Sequence, residues 1–583
     1  MWSRFGTEDV ALGDWHRTAI VGVAERVALT GAVVGAIVAV GLVVLVVLGR
    51  RPDPSAETDF SIDIWIVSMI VLVVGAMLGL GEPWNAVKAW SVVRGFYPFS
   101  PRPPMAAAAY LLAGVALLPA IIGAIRIRYG RQLPLRVLGC SLVAGLLVST
   151  AAAVGALRLG DDNTNIDRST AGSAEALAVP ARVSGEAFRF VLDRENFSST
   201  RDRYEIVATT AGFVIGTKSG IIAYDGLTGE QRWHYQRSDQ GSSSLRRLDY
   251  SLLSTDGGDV VVTNWEKIGT VAFDATTGET LWTAKSSEGI DDFDLVSYPW
   301  VVPSSAPRPL LRGDGVEIAA FEPRTGRRLW LSDTSVPYCS LDRTVMTSAG
   351  LYQVRECRDE AERPYWSHIT AIHPETGNII ATREFGREPA GADSPRFHDG
   401  RVVPSGNSLV VEFPAARRDG DPAVLVVTEP DQLADAPLLE VAGLSKVLGA
   451  TGDGAELLAG REWPSDRYAI TSHLVSVAEA AMGPVLSDSR VDLDNQELWS
   501  HSIFLTDQLV QLSHADGYRG PEYTKLRTWD RAGIREEPID IPVDWPMYGG
   551  DYWYANSALI PVNGSLLLVL PGEDGSLVII GIR

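Results

Sequence analysis

Ala223–Trp233 reads AYDGLTGEQRW, and forty-nine residues further on Ala272–Trp282 reads AFDATTGETLW. Two more copies follow, AFEPRTGRRLW at Ala320–Trp330 and AIHPETGNIIA at Ala371–Ala381. Their glycines, Gly229, Gly278, Gly326 and Gly377, lie 49, 48 and 51 residues apart. The start of each copy alternates and is rich in β-formers, so it reads as a strand. The D-x-x-T-G that follows is turn chemistry. Asp225 and Asp274, with Thr228, Thr277, Thr325 and Thr376, can accept bonds from nearby amides, and glycine accepts a positive φ without steric cost. The residues after the glycine run back as the partner strand, ending on Trp233, Trp282 or Trp330, a large apolar plate for the next unit. The phrase is therefore a β-hairpin with a fixed corner, and its residues are assigned to architecture.

A strand-rich period near 50 residues indicates a propeller or a solenoid. Later copies decay: VLVVTEPDQLADAPLLE near Val424 loses the glycine, HLVSVAEAAMGPVLSD from His473 is similar, and KLRTWDRAGIREEPI keeps Asp530 and Gly533. The stretch 184–583 has room for eight four-stranded blades, with seven as the alternative. GEAFRFVLD, from Gly185, reads as a strand able to complete the last blade beside the terminal GSLVIIGIR, which closes the ring and removes an open edge.

The A-[YF]-D-x-x-T-G-x-x-x-W phrase resembles the repeat of the pyrroloquinoline-quinone (PQQ) propeller superfamily, which includes quinoprotein dehydrogenases and non-catalytic assembly proteins. The resemblance implies a propeller of β-sheet blades, often outside the cytoplasmic membrane. It is specific for fold and says little of function, because the motif builds the blade and not a pocket. Quinoprotein chemistry needs a quinone gripped on both faces, a metal on its carbonyl and a carboxylate base. No adjacent cysteine pair is present to grip a quinone, and no catalytic residue or metal ligand is carried over from the family. PQQ with a divalent metal ion is expected only if the chain is a dehydrogenase; otherwise no cofactor is expected.

Charge divides the chain. Up to Gly160 there are 13 Lys/Arg and 9 Asp/Glu, a net +4, while the rest carries 38 and 63, a net −25. An acidic domain of that kind repels phosphate backbones, which argues against nucleic acid as a partner. After an N-terminal segment, 1–26, four runs carry no charge: 27–49, 64–81, 105–125 and 137–157. Each is long enough to cross a hydrocarbon layer of about 30 Å. A four-helix membrane bundle is expected, and since no ionisable residue lies within the runs, it reads as an anchor and not an ion path. Arg126, Arg128, Arg131 and Arg136 crowd one short loop and Arg50–Arg51 open another; by density those loops read as cytoplasmic and both termini as outside, although the opposite side holds as many Lys/Arg in total, so the charge rule alone does not decide.

Residues 158–183 are small, polar and aperiodic and read as a linker. Cys339 and Cys357 flank two strand-like stretches around a turn at Ser348–Gly350. A hairpin there sets them opposite each other within about a residue of register, so a disulfide is feasible; two unrelated buried thiols are the alternative. Such a bond fits an oxidising compartment. The expectation is a multi-pass membrane protein whose extracytoplasmic propeller acts as a non-catalytic, protein-binding scaffold for envelope or membrane proteins. A membrane-bound quinoprotein dehydrogenase, or a ligand sensor signalling through a partner, are the alternatives.

Overall fold

The structure, a computed structural model, describes Ala151, Val154 and Gly155, and then residues 166–193, 199–200, 203–217, 219–237, 250–265, 269–284, 309–313, 317–358, 365–385, 401–413, 422–463, 466–490, 502–514, 523–542, 557–571 and 576–583. Two compact units divide the chain, one made of residues 1–167 with 237–247 and 285–287, the other of the remainder. The four apolar runs expected to span a membrane lie outside the described residues, apart from Ala151, Val154 and Gly155, which are helical. No helix among the described residues is long and apolar enough to cross a membrane.

The second unit is a propeller of eight antiparallel sheets, with one small hairpin beside them. Blade 1 comprises Ile206–Thr209, Gly212–Gly216, Gly220–Asp225 and Gln231–Arg237, from the innermost strand outward. Blade 2 runs from Tyr250–Thr255 to Thr280–Ala284, and blade 3 has three described strands, Leu310–Gly313, Glu317–Phe321 and Arg328–Asp333. Blade 4 spans Cys339–Met346 to Ile379–Phe385, blade 5 Arg401–Ser405 to Leu438–Glu440, blade 6 Lys446–Ala450 to Ala481–Arg490, and blade 7 Ser502–Phe504 to Ile539–Pro542. In blade 8 the order is Ala558–Val562, Ser565–Pro571, Leu577–Ile582 and then Glu186–Leu192. The strand expected from GEAFRFVLD thus completes the last blade, and eight blades replace the choice of seven or eight.

The repeat explains the geometry. Gly229, Gly278, Gly326 and Gly377 sit at φ 69, 76, 69 and 73°, where an L-residue is strained. Each glycine amide donates to the carbonyl four residues back, as in Gly229 to Asp225 at 2.9 Å and Gly278 to Asp274 at 2.8 Å. The Asp274 carboxylate accepts the Thr276 and Thr277 amides at 3.1 and 3.0 Å, and Asp225 accepts those of Leu227 and Thr228. One step before the corner each motif alanine pairs across the strands with the motif tryptophan, Ala223 with Trp233, Ala272 with Trp282 and Ala320 with Trp330, and a bulge follows at once.

That bulged strand delivers the indole to the neighbouring blade. A Cβ on Gly278 would stand 2.6 Å from the Trp233 ring, one on Gly326 2.8 Å from Trp282, and one on Gly377 2.5 Å from Trp330. The indole nitrogens donate one residue past the start of the same corners: Trp233 to the Ala275 carbonyl at 2.9 Å, Trp282 to Pro323 at 2.7 Å and Trp330 to Pro374 at 2.8 Å. Each corner is thus the socket for the ring of the blade before it.

The eighth copy is split between two distant stretches of sequence. Phe188 pairs with Gly581, a bulge lies beside them, and the Phe188 ring covers Gly229, where a Cβ would meet it at 2.4 Å. Phe188 and Phe190 then stack with Phe213 and Tyr224 of blade 1, with centroids 4.7–6.4 Å apart. Each such aromatic pair adds about 0.5–1.5 kcal/mol beyond area burial. Burial in this seam pushes the Tyr224 hydroxyl up to about 12. The innermost strand Ile206–Thr209 touches both Ala558–Val562 and Tyr250–Thr255, and the innermost strands of blades 4 to 8 touch in succession.

Gly278→Ala combines a disfavoured φ with a clash against a buried indole. It is expected to lower the stability of the full chain in urea denaturation by about 2–4 kcal/mol. An unchanged midpoint would contradict the socket.

Candidate functional site

Because strands alternate in direction, the corner hairpins and the inner hairpins of all the blades lie at one end of the ring. Neighbouring turns bond to one another there: the Thr210 amide to the Gly258 carbonyl at 3.0 Å, Ala275 to Asp259 at 2.9 Å, Ser348 to Gly406 at 2.8 Å and Asn407 to Gly452 at 3.0 Å. Arg324, in the blade 3 corner, reaches Asp274 and Asp259 of blade 2 at 3.5 and 3.7 Å. Arg324 and Asp259 are about half exposed and Asp274 less so, and such surface pairs contribute little energy. Hydrogen bonds through the backbone carry the cohesion of this end.

The segment read as a linker is bound to this end of the ring. The Ala171 amide donates to the Thr277 carbonyl in the blade 2 corner at 2.9 Å, and Arg232 holds the Gly172 carbonyl at 3.0 Å. The Leu177 amide donates to Thr210 of blade 1 at 3.0 Å. The Ala178 carbonyl accepts the Gly564 amide of blade 8 at 2.9 Å, and Ala181 accepts Asp507 of blade 7 at 3.1 Å. The Gln508 side chain brackets Val183, accepting its amide at 2.9 Å and donating to its carbonyl at 3.4 Å, while Arg182 pairs with Glu536 at 2.8 Å. The chain therefore crosses the inner turns of blades 1, 8 and 7 as a strap before it enters blade 8. Nothing in its polar, aperiodic sequence announces this, because nearly every bond uses the backbone.

A second locus lies in blade 4. Cys339 and Cys357 are bonded and directly opposite in register. The register shift between Leu341 and Arg343 supplies the one residue that separates a simple hairpin from this alignment. Tyr338, beside the disulfide, is 70% exposed and has φ 64°, a conformation that costs an L-residue roughly 1–2 kcal/mol. It is held there by the Cys339 amide on the Val336 carbonyl at 3.2 Å and by the Arg358 amide on its own carbonyl at 2.8 Å.

On the next strand positions Arg355 and Gln353 are buried side by side. One Arg355 nitrogen, Nη2, donates to Gln353 Oε1 and to Thr334 Oγ1, both at 3.1 Å. Burial holds the guanidinium below its usual pKa, and Asp333 opposes that shift. His368, on the adjoining strand and also buried, has its imidazole lowered by burial; Glu384 opposes the shift and Arg355 adds to it. Alternation in LYQVREC points Gln353 and Arg355 one way and Tyr352 and Val354 the other, a pattern that normally marks a solvated face. Alternation alone therefore does not single these residues out.

Blade 4 also departs from the repeat. Ala381 stands where the indole would be, and two residues on Arg383 donates to the Leu433 carbonyl of blade 5 at 3.3 Å and to the Ala436 carbonyl. A guanidinium replaces the indole as the donor to the next blade.

The residues singled out from the repeat do not converge on one pocket. Asp225, Thr228, Gly229, Asp274, Thr277, Gly278, Thr325, Gly326, Thr376 and Gly377 build four successive corners, and Trp233, Trp282 and Trp330 fill the spaces between them. Among the described residues, no group of three or more His, Cys, Asp or Glu is placed to hold a metal ion.

A sequence profile of the family described as "Outer membrane protein assembly factor BamB" matches residues 170–297, the strap with blades 1 and 2. No curated protein matches the chain. Among solved structures, BamB from Moraxella catarrhalis is similar at 13% identity, covering 68% of this chain and 97% of that one, with a TM-score of 0.35. The β-propeller domain of the Trilobed protease from Pyrococcus furiosus is similar at 10% identity over 43% of this chain and 72% of that one, TM-score 0.27. The WD40 domain of SCAP from fission yeast is similar at 8% identity over 57% and 95%, TM-score 0.28. At these scores the structures add no argument about what the chain does.

Two outcomes follow. Gln508→Ala removes both bonds to Val183, and an unpaired buried amide costs about 1–3 kcal/mol; amides 177–184 are expected to exchange hydrogen faster while the blade cores do not change. Unchanged exchange would contradict the strap. His368 binds its proton more weakly in the folded chain than in the unfolded one, so stability is expected to fall as pH drops below about 6.5. His368→Gln should flatten that part of the pH–stability curve measured by denaturation, and an unaltered slope would contradict the assignment.

Proposed function

We propose that this chain is a membrane-anchored, non-catalytic propeller that serves as a protein-binding scaffold on the extracytoplasmic side of the cell envelope. The observation that carries this reading is the profile match over residues 170–297, which falls on the strap and the first two blades. Two further features support it. A disulfide between Cys339 and Cys357 persists best in an oxidising compartment. A ring whose blades interlock through buried rings and corner glycines presents its surfaces with little entropy left to lose on binding. The uncharged runs before residue 158 supply the anchor. The partners are envelope or membrane proteins.

Thiol labelling of intact cells tests the placement. The impermeant reagent is expected to modify Cys339, which is partly exposed while Cys357 is buried, only after an impermeant reductant has been added. Labelling that requires lysis would place the propeller inside and overturn the reading. Crosslinking in native membranes followed by mass spectrometry tests the scaffold role: a neighbour recovered in stoichiometric amount supports it, and its absence contradicts it.

A further inference from the structure

Blade 4 buries a polar layer beside its disulfide. On the strand Leu351–Arg358, Leu351, Gln353, Arg355 and Cys357 share one face. Register sets Ile372, Thr370, His368 and Trp366 of the next strand beside them in that order. Leu351 and Ile372 pack with Leu311 and Trp330 of blade 3. The face is therefore apolar near the corner, polar in the middle, and closed at its far end by Trp366 and the bond between Cys339 and Cys357. Gln353, Arg355, His368 and Thr370 are all buried. Among the described residues Gln353 Nε2 has no hydrogen-bond partner. An unpaired amide and two desolvated ionisable groups are costs that contact with water removes.

The turn that leads into this blade carries a cost of its own. The Cys339 amide on the Val336 carbonyl closes a four-residue turn, with Pro337 second and Tyr338 third. A third residue at positive φ is a place for glycine, and Tyr338 stands there at φ 64°. Among the described residues one other non-glycine residue has a positive φ, Ala480, in a hairpin turn of blade 6. The strained turn is tied at both ends to the polar layer. Thr334 accepts a hydrogen bond from Arg355, and Cys339 is bonded to Cys357.

We propose that the Cys339–Cys357 bond is a redox-operated latch: a dithiol donor reduces it in the folded chain, the segment from Thr334 to Ser340 relaxes, and water enters the layer of Gln353, Arg355 and His368. This goes beyond the scaffold reading and does not rest on it. Cys339 is partly exposed and Cys357 buried, so the donor's thiolate attacks Cys339 Sγ. The S–S bond breaks and its electron pair leaves on Cys357 Sγ. Arg355, next along the same face, favours that thiolate as a nearby cation does. The donor's second thiol then attacks the mixed disulfide and frees Cys339. In sum two electrons and two protons pass to the protein, and the donor ends as a disulfide. The strands remain paired from Ser340 with Glu356 to Met346 with Leu351, so opening is confined to this end of the blade. A bond that only stapled the hairpin would leave the turn and the polar layer as they are when it is reduced.

The test uses the purified full chain in detergent, equilibrated with mixtures of dithiothreitol and its cyclic disulfide, trapped by alkylation and read by mass spectrometry. Hydrogen exchange is measured on the same samples. Reversible reduction is expected, with faster exchange at residues 334–341 and 353–358 while Gly212–Gly216 and Ser565–Pro571 keep their protection. Cys339→Ser/Cys357→Ser should show the reduced pattern with no donor present. Tyr338→Gly relieves the positive φ, which is enforced only while the latch is closed. It is expected to need about threefold or more dithiol, relative to disulfide, for half reduction. Resistance to reduction until the chain is denatured, or loss of protection in every blade on reduction, overturns the proposal. So does a reduced chain, or a serine variant, that exchanges as the oxidised chain does, and so does an unmoved midpoint in Tyr338→Gly.

Discussion

An aromatic ring pressed onto a glycine is the contact from which this propeller follows. The ring must come from the outer strand of one blade and the glycine from the corner of the next, so the contact sets the spacing of neighbouring sheets. Trp233 on Gly278, Trp282 on Gly326 and Trp330 on Gly377 repeat it with the same donor bond to a corner carbonyl. Phe188 on Gly229 makes the fourth such contact, with no indole nitrogen to donate. At that seam stacking with Phe190, Phe213 and Tyr224 takes the place of the hydrogen bond. A glycine is required twice over, by its positive φ and by the absence of room for a Cβ.

Closure has a consequence for the segment that precedes it. The chain must reach the outside of blade 8 from the neighbourhood of blade 1, and it does so across the inner turns. The backbone bonds to Thr210, Gly564 and Asp507 and the grip of Gln508 on Val183 fix that course. The same segment lies beside the blade 1 edge at Ser169, so one stretch of chain protects an edge, crosses one end of the ring and completes it.

Much of this was legible in the sequence, for definable reasons. The corners, the closing strand and the register of Cys339 with Cys357 depend on local turn chemistry and on period-two alternation, which composition displays directly. The strap left no such trace, since a segment bonded through its backbone needs no particular side chains. Arg383 was hidden because a guanidinium does the work of an indole from two residues away. Gln353, Arg355 and His368 were hidden because alternation reports which way a side chain points and not whether another element covers it. The unevenness of the later copies has a structural counterpart in blade 5, where a short 3-10 helix, Pro430–Ala434, stands in place of the glycine corner.

The central claim is that Glu186–Leu192 and Leu577–Ile582 are neighbouring strands of one blade. Arg189 lies opposite Ile580 in that pairing. Cysteines at both positions, in a chain with Cys339 and Cys357 retained, should join under mild oxidation, and proteolysis followed by mass spectrometry should recover the linked peptides in high yield. If Arg189→Cys/Ile580→Cys stays reduced while a control pair at Leu568 and Ile580, opposed within the same sheet, becomes linked, the ring is not closed by its N-terminal strand and the account fails.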